Sequence, residues 1–432
     1  MTPAARLSAA IEVIAAIDTQ RVPAANALKD WGVAHRFAGS GDRAAIAGLV
    51  YDVLRRRAST AFLMDDDSPR ARVLGMLKLE RGYDLARIEK LCDGARFAPE
   101  PLSANEQAAL TSRTLDGAPP HVAGDYPEWL DGEFAKVFGE ARVEEATALA
   151  RRAPLDLRAN ALKAERGKPL ASLRHLGARA TQWSPWGLRI ELDADARSPG
   201  IQAEPDFIRG VIEVQDEGSQ LAALFTAAKP GEQVIDLCAG AGGKTLALAA
   251  MMGGRGRLIA TDRDKRQRAP IHERLSRAGV HNAEVRTPRD DDPLKGLEGT
   301  SDLVVIDAPC TGTGTWRRNP DAKWRMRPGA LEQRCKDQVE VLDRAARLVK
   351  PGGRIAYITC SVLHKENGEQ IRAFMSRYGD FEIVNATNVT EPLGERAIAF
   401  RNAARLSGEG VLMTPQRTKT DGFFVSVLKR PH

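Results

Sequence analysis

The chain has 432 residues, 43% hydrophobic and 28% charged, a balance that excludes disorder and fibrous repeats and points to a globular protein of several domains. Mean hydropathy is −0.33 and no apolar run approaches about 18 residues, so no membrane-spanning helix is expected. The net charge of +6 is a mild basic bias, compatible with a polyanionic partner.

The N-terminal stretch has one early cation, Arg6, and is interrupted by Glu12 and Asp18, so it does not read as a secretory signal. The five cysteines, Cys92, Cys238, Cys310, Cys335 and Cys360, are too sparse for a disulfide framework and suggest reduced thiols in a cytoplasmic protein. The sequence has no CxxC and no HExxH, and its histidines are scattered, so no metal site is expected.

Residues 1–125 read as helical. Ala9, Ile11, Val13, Ile14 and Ile17 recur at helical spacing. Ile46, Leu49, Val50, Val53 and Leu54 form a second stripe, ended by Arg55, Arg56 and Arg57. The stretch TLDGAPPHVAGDYP, residues 114–127, reads as a linker. From Pro127 one or two helices are expected, followed by strand-like LDLRANALK and WGLRIEL around helical ASLRHLG, a small α/β unit over 126–205.

Residues 206–432 alternate strand and helix. EQVIDLCAG, GRLIATD, SDLVVIDAP and GRIAYITC read as buried strands, which predicts a mostly parallel sheet covered by helices, a Rossmann-like α/β fold. The tail, GVLMTPQRTKTDGFFVSVLKR, reads as a strand pair.

Four constellations carry chemistry. In VIDLCAGAGGKT an apolar strand meets Gly240, Gly242 and Gly243 and then a helix, a turn that lets a ligand approach the backbone. A phosphate-binding P-loop fails here because its first glycine position is Cys238. Asp262 ends the next strand, where a carboxylate can accept hydrogen bonds from ribose hydroxyls; together these suggest an adenosine-containing cofactor. The third strand delivers Asp307, Pro309 and Cys310 to the carboxyl edge of the sheet, and the fourth delivers Cys360 to the same edge. Either cysteine alone reads as a buried structural thiol; the pair is harder to ascribe to packing. Glu366 and Asn367 read as a first-turn acid and cap.

Two thiols, an acid and such a cofactor suit one reaction. Cytosine C5 is a poor nucleophile, but thiolate addition to C6 makes the ring an enamine whose C5 can accept a methyl group. An acid near N3 favours the addition.

These motifs carry a resemblance. VQDEGSQLAA (214–223), DLCAGAGGKT, DAPCTGTGTWRRNPD, TCSVLHKENGEQI and DGFFVSVLKR, in this order, resemble the Nop/Sun group of RNA (cytosine-5) methyltransferases, which use S-adenosyl-L-methionine. LDLRANALK resembles the small RNA-facing subdomain of that group, and GDRAAIAGLVYDVLRRR resembles the NusB-type RNA-binding domain of its ribosomal-RNA branch, the RsmB/Sun enzymes. The resemblance implies Cys360 as nucleophile, Cys310 as an aid to product release, and Asp307 in contact with cytosine and methyl donor. It implies that Cys238, Ala239, Gly240, Ala241, Gly242, Gly243 and Lys244 surround the methionine part, that Asp262 binds ribose, and that Asp290 contacts adenine. The expected organisation is an all-α NusB-like domain over 1–125, the RNA-binding subdomain over 126–205 and the methyltransferase domain over 206–432, in a monomer.

Between Arg317 and Lys336 seven Lys/Arg stand against two acids, with Trp316 and Trp324 interleaved, which suggests phosphate contact and base stacking. The expected activity is cytosine-5 methylation of small-subunit (16S) ribosomal RNA on an unpaired or flipped base. A transfer-RNA target and a non-catalytic RNA-binding assembly factor are the alternatives. A DNA enzyme would typically attack with the cysteine of its Pro–Cys motif and carry a DNA-recognition region.

Overall fold

The computed structural model describes residues 1–192, 199–287 and 292–432. They form two compact units. The first comprises Met1–Arg152 with Trp316–Met326; the second comprises Ala153–Leu192, residues 199–315 and Arg327–His432.

The first unit is helical, and among the described residues it contains no strand. Helix Pro3–Gln20 starts where the Thr2 hydroxyl accepts the Ala5 N–H and stops at Arg21 in the left-handed conformation. Its apolar stripe buries Leu7, Ala10, Val13, Ile14 and Ile17. Helix Ser40–Arg55 adds Ile46, Val50, Val53 and Leu54, and helix Pro69–Leu79, capped by Ser68, adds Val73, Leu74, Met76 and Leu77. Leu49 and Ile11, read on the same stripes, are only partly buried.

Two expectations need correcting here. Residues 114–127 are not a linker. They fold into a short helix, Pro120–Ala123, and Asp125 turns inward to accept the Ser59 N–H at 2.9 Å and the Ser59 hydroxyl at 2.7 Å. Tyr126 is buried and stacks on Phe134 at 4.6 Å. Glycine and proline mark a tight path here, not a free one.

Trp316 and Trp324, in turn, are not stacking platforms for RNA. Trp316 is 2% exposed and stacks on Phe134, while Trp324 donates its indole N–H to the Leu54 carbonyl at 2.6 Å. Lys323, 1% exposed, donates to the carbonyls of Asp125 at 2.6 Å and Arg55 at 3.0 Å. The aromatic–basic pattern looks like an RNA surface because packing of this segment into the helical unit uses the same residue types. Arg325, Arg327 and Lys336 remain exposed.

Burial pushes the Lys323 amine down from 10.5 to about 7, opposed by Asp125 and reinforced by Arg55 and Arg56. An amine depressed in the folded state costs stability wherever it is charged, below about pH 7. As pH rises from about 7 toward 10, the folded chain releases this proton before the unfolded one does, and the cost fades. Wild type is therefore expected to gain on the order of 2–4 kcal/mol across that window relative to Lys323→Met. Denaturant melts of both at about pH 7 and pH 9 check this; parallel pH dependences would reject it.

The second unit holds two sheets. The small one is antiparallel, with β1 (Leu155–Ala159), β2 (Arg179–Ala180), β3 (Gly187–Ile190) and β4 (Ile212–Val214) in the order β2-β3-β1-β4. β4 lies past the boundary read at 205; it pairs with β1 through Leu157↔Val214. Asp156 of β1 takes a bidentate pair from Arg189 of β3, both contacts at 2.7 Å, and accepts the Glu217 N–H at 3.0 Å.

The large sheet contains β5 (Gln233–Asp236), β6 (Arg257–Thr261), β7 (Ala283–Arg286), β8 (Ser301–Asp307), β9 (Val349–Thr359), β10 (Glu382–Ile383), β11 (Arg405–Leu406), β12 (Val411–Met413) and β13 (Phe423–Lys429). Its order is β11-β12-β13-β9-β8-β5-β6-β7, with β10 on β13. β7, β6, β5, β8 and β9 run parallel, and the tail pair β12–β13 joins antiparallel to β9. The order reverses at β5, so ligands are expected at its carboxyl end. The strands are buried on both faces, which is why they read as unbroken apolar runs. Among the described residues no helix is long and apolar enough to cross a membrane.

Candidate active site

Four parallel strands end at one edge, and each delivers a functional group within three residues of its end. β5 ends at Asp236, β6 at Thr261, β8 at Asp307 and β9 at Thr359. Cys238, Asp262, Cys310 and Cys360 follow.

The glycine turn sits between β5 and helix Gly243–Met251. Gly242 holds φ +84°, and a Cβ there would lie 2.7 Å from Ile271, so both conformation and space require glycine. The Gly240 N–H donates to Asp262 Oδ2 at 2.8 Å, and the Asp264 N–H donates to Oδ1 at 2.7 Å. Asp262 thus shapes the turn it faces. Arg274 donates to the Ala241 carbonyl at 2.7 Å and pairs with Glu213 of β4 at 3.1 Å, which ties the small sheet to the same turn.

Lys244 opens the helix, is buried, and donates to Asp307 Oδ2 at 2.7 Å. Its ammonium also lies 5.1 Å from the Phe423 ring centroid. Behind it, Asp236 is fully buried. It accepts the Thr245 hydroxyl at 2.7 Å on Oδ2, while Oδ1 has no hydrogen-bond partner. Burial, with Asp307 and Asp262 nearby, pushes its carboxyl up to about 7. The Cys238 thiol is held well above its ordinary range by burial and by the carboxylates of Asp262, Asp236 and Asp307, which makes it a poor nucleophile. An edge with three carboxyl groups, an orphan acceptor and a backbone turn fits a ligand that carries positive charge and hydroxyl donors. S-adenosylmethionine, with its sulfonium, ammonium and ribose, is such a ligand. Asp290, expected at the adenine, lies outside the described residues.

The two sulfurs meet at this edge: Cys310 Sγ lies 3.4 Å from Cys360 Sγ. The Cys360 contact and burial hold the Cys310 thiol well above its ordinary range, in its protonated form. The loops that carry them are laced together. Thr313 Oγ1 lies 3.0 Å from Ser361 Oγ and accepts the Val362 N–H at 2.9 Å, and the Gly314 N–H donates to the Cys360 carbonyl at 2.9 Å. A Cβ on Gly314 would fall 2.1 Å from the Gly422 carbonyl oxygen, so the loop closes only with glycine. Thr313 is thus the lacing itself.

Glu366 and Asn367 do more than start a helix. Glu366 is 0% exposed. Its carboxylate accepts the Thr311 N–H at 2.8 Å, the Thr311 hydroxyl, and Gln338 Nε2 at 3.1 Å. Burial raises its carboxyl, and the hydrogen bonds from Ser361, Thr311 and Gln338 oppose this. Asn367 accepts the Thr359 hydroxyl at 2.6 Å and donates to the Ser361 carbonyl at 2.9 Å. The sequence signal was present, two adjacent amide- or acid-bearing side chains shortly after a buried strand, but capping explains that signal equally well.

With this geometry in place, comparison with known proteins is direct. Residues 223–429 match the family model described as 16S rRNA methyltransferase RsmB/F. The chain is 28% identical to the "Probable ribosomal RNA small subunit methyltransferase B" of Synechocystis over 421 residues, covering 90% of this chain and 91% of that protein. Residues 223–429 form a methyltransferase domain of the RsmB/F family. A ribosomal RNA small subunit methyltransferase B from Sodalis glossinidius is 33% identical over 306 residues, 69% of this chain and 64% of that one. Among solved structures, PH0851 superposes with a TM-score of 0.74 at 25% identity over 100% of this chain and 99% of that one. A methyltransferase homolog from Pyrococcus horikoshii gives 0.57 at 26% identity, covering 72% and 97%. RsmB/F membership accounts for the Rossmann-like sheet and for the glycine turn at its switch point.

Proposed function

We propose that this protein is an S-adenosylmethionine-dependent RNA (cytosine-5) methyltransferase acting on small-subunit ribosomal RNA. The observation that carries this reading is the pair of sulfurs 3.4 Å apart beside the Lys244–Asp307 ion pair. The names of the Synechocystis and Sodalis relatives support the RNA class.

Cys360 adds as a thiolate to cytosine C6, while the Asp307 carboxylate accepts a hydrogen bond from the exocyclic amine and the Lys244 ammonium that it holds offsets the electron density arriving on the ring. The turn Cys238–Lys244 holds the methionine part of the cofactor and Asp262 holds its ribose. The bound cofactor supplies an electrophilic methyl group. After C5 has taken that methyl, its proton passes to water, the C6–sulfur bond breaks and Cys360 departs as a thiolate; Cys310, held as a thiol 3.4 Å away, assists this release by donating its proton to the departing sulfur. Lys244 keeps the Asp307 carboxylate aimed along the edge. The small sheet, tied to the turn through Glu213 and Arg274, carries the RNA-facing role.

Bisulfite sequencing of total RNA from cells with and without the gene tests the proposal. Loss of one non-converted cytosine in small-subunit ribosomal RNA is expected; loss only in transfer RNA, or no loss, rejects it. Asp262→Ala is expected to weaken cofactor binding by about 1–3 kcal/mol, since it removes charge-assisted hydrogen bonds and frees the Gly240 N–H. Calorimetry with S-adenosylmethionine reads this directly, and an unchanged affinity in the folded variant would take Asp262 out of the site.

A further inference from the structure

Pro309 and Thr311 flank Cys310. Thr359 and Ser361 flank Cys360. Glu366 binds Thr311 through its N–H and hydroxyl, and Gln338 Nε2 bridges the Glu366 carboxylate at 3.1 Å and the Pro309 carbonyl at 3.0 Å. Both neighbours of Cys310 are therefore fixed from Glu366. Asn367 takes the Thr359 hydroxyl at 2.6 Å and gives its amide to the Ser361 carbonyl at 2.9 Å, so both neighbours of Cys360 are fixed from Asn367. The dipeptide is itself anchored, because the Tyr357 hydroxyl of β9 donates to the Glu366 carbonyl at 2.7 Å. Asn367 thus holds the Cys360 loop alone, while Glu366 holds the Cys310 loop on both sides and takes one further hydrogen bond from Ser361.

Burying a carboxylate among neutral donors is costly, and packing alone does not call for one at this place. Every donor that reaches the Glu366 side chain belongs to a group that also fixes a cysteine loop, or to Gln338, which bridges to one. A misplacement of about 1 Å at a reacting group can cost about 100-fold in rate. We propose that Glu366 and Asn367 are positioning residues with divided tasks: Glu366 sets Cys310 for release of the methylated product, and Asn367 sets Cys360 for attack. This rests on the proposed covalent mechanism, in which attack and release belong to different sulfurs.

The test uses full-length protein, S-adenosylmethionine and unmodified 16S ribosomal RNA transcribed in vitro. Single-turnover methylation, steady-state kcat and KM, and protein–RNA adduct on denaturing gels are measured for Cys310→Ala, Glu366→Ala, Glu366→Gln and Asn367→Ala. Cys310→Ala serves as the control for the mechanism: if it traps no adduct, the covalent reading itself fails, whatever the other variants do. Given that adduct, Glu366→Ala is expected to keep single-turnover methylation within a few-fold, to lose about 100-fold in kcat with little change in KM, and to accumulate adduct. Asn367→Ala is expected to lose about 100-fold in single-turnover rate and to accumulate none. Glu366→Gln retains one acceptor toward Thr311 and should restore part of kcat. Unchanged cofactor affinity by calorimetry certifies each fold. If Glu366→Ala does not fold, Glu366→Gln decides alone, with adduct above the wild-type level expected. Adduct-free slowing in the Glu366 variant, adduct in Asn367→Ala, or wild-type behaviour in either overturns the division of tasks.

Discussion

Cys360→Ala is expected to abolish methyl transfer and to leave no protein–RNA adduct, whereas Cys310→Ala is expected to methylate once and stall as a covalent complex that survives denaturing electrophoresis. Both sulfurs stand at the carboxyl edge and touch at 3.4 Å, so distance alone does not choose the nucleophile. Environment does. The contact with Cys360 and burial hold Cys310 in the thiol form, and a thiol is a poor nucleophile. Removing the covalent nucleophile should cost on the order of 10⁴-fold or more in rate, the scale seen when such a group is deleted elsewhere. Two cysteines that serve only packing would each lower stability by a modest amount and trap nothing. Adduct from Cys360→Ala and none from Cys310→Ala would hand the attack to the Pro–Cys motif.

A chain that starts at residue 126 is expected to be insoluble or to melt without cooperativity, although every proposed catalytic group lies beyond that point. The cut leaves Tyr126, Phe134 and Trp316 stacked on one another but removes the helices around them. It also removes the Leu54 and Arg55 carbonyls that receive Trp324 and Lys323. A buried amine without its acceptors and an exposed aromatic stack are together a severe defect. In the full-length chain, Trp316→Ala is expected to cost about 3–5 kcal/mol, the usual range for removing a buried aromatic. A truncated chain that melts sharply and binds S-adenosylmethionine normally would show that the helices are dispensable to this segment.

Much of the fold was legible because its signals are local. The four buried strands, the tail pair and the N-terminal helices announce themselves through periodicity and through Gly240 and Gly242, and the structure has them at nearly the positions read. β4 was not legible: three residues, Ile212–Val214, make a strand only because Leu157 waits opposite. Trp316 and Lys323 misled because aromatic and cationic side chains serve nucleic acid and interior packing alike, and the difference lies in partners some 200 to 270 residues away in sequence. The site was legible as far as motifs carry chemistry. Glu366, Asn367 and Gln338 were not, since capping and clamping use the same residue types and only the three-dimensional register of Thr311, Thr359 and Ser361 tells them apart.

Asp236 sets the energetics of the carboxyl edge. A carboxyl whose folded value is raised to about 7 binds its proton more tightly in the native chain than in the unfolded one, so it lowers stability progressively as pH climbs from about 4 to 7, and by its full amount above that. At neutral pH the fold therefore carries a local deficit where Asp236, Asp262 and Asp307 converge, with one buried lysine to offset them. Selection for stability alone would have removed such a cluster. A ligand of positive charge reverses the balance by making the same carboxylates favourable, so its affinity includes relief of frustration already present in the free protein. Asp236→Asn should then make the protein harder to melt at neutral pH and worse at binding, a trade between endurance and function written into the end of a parallel strand.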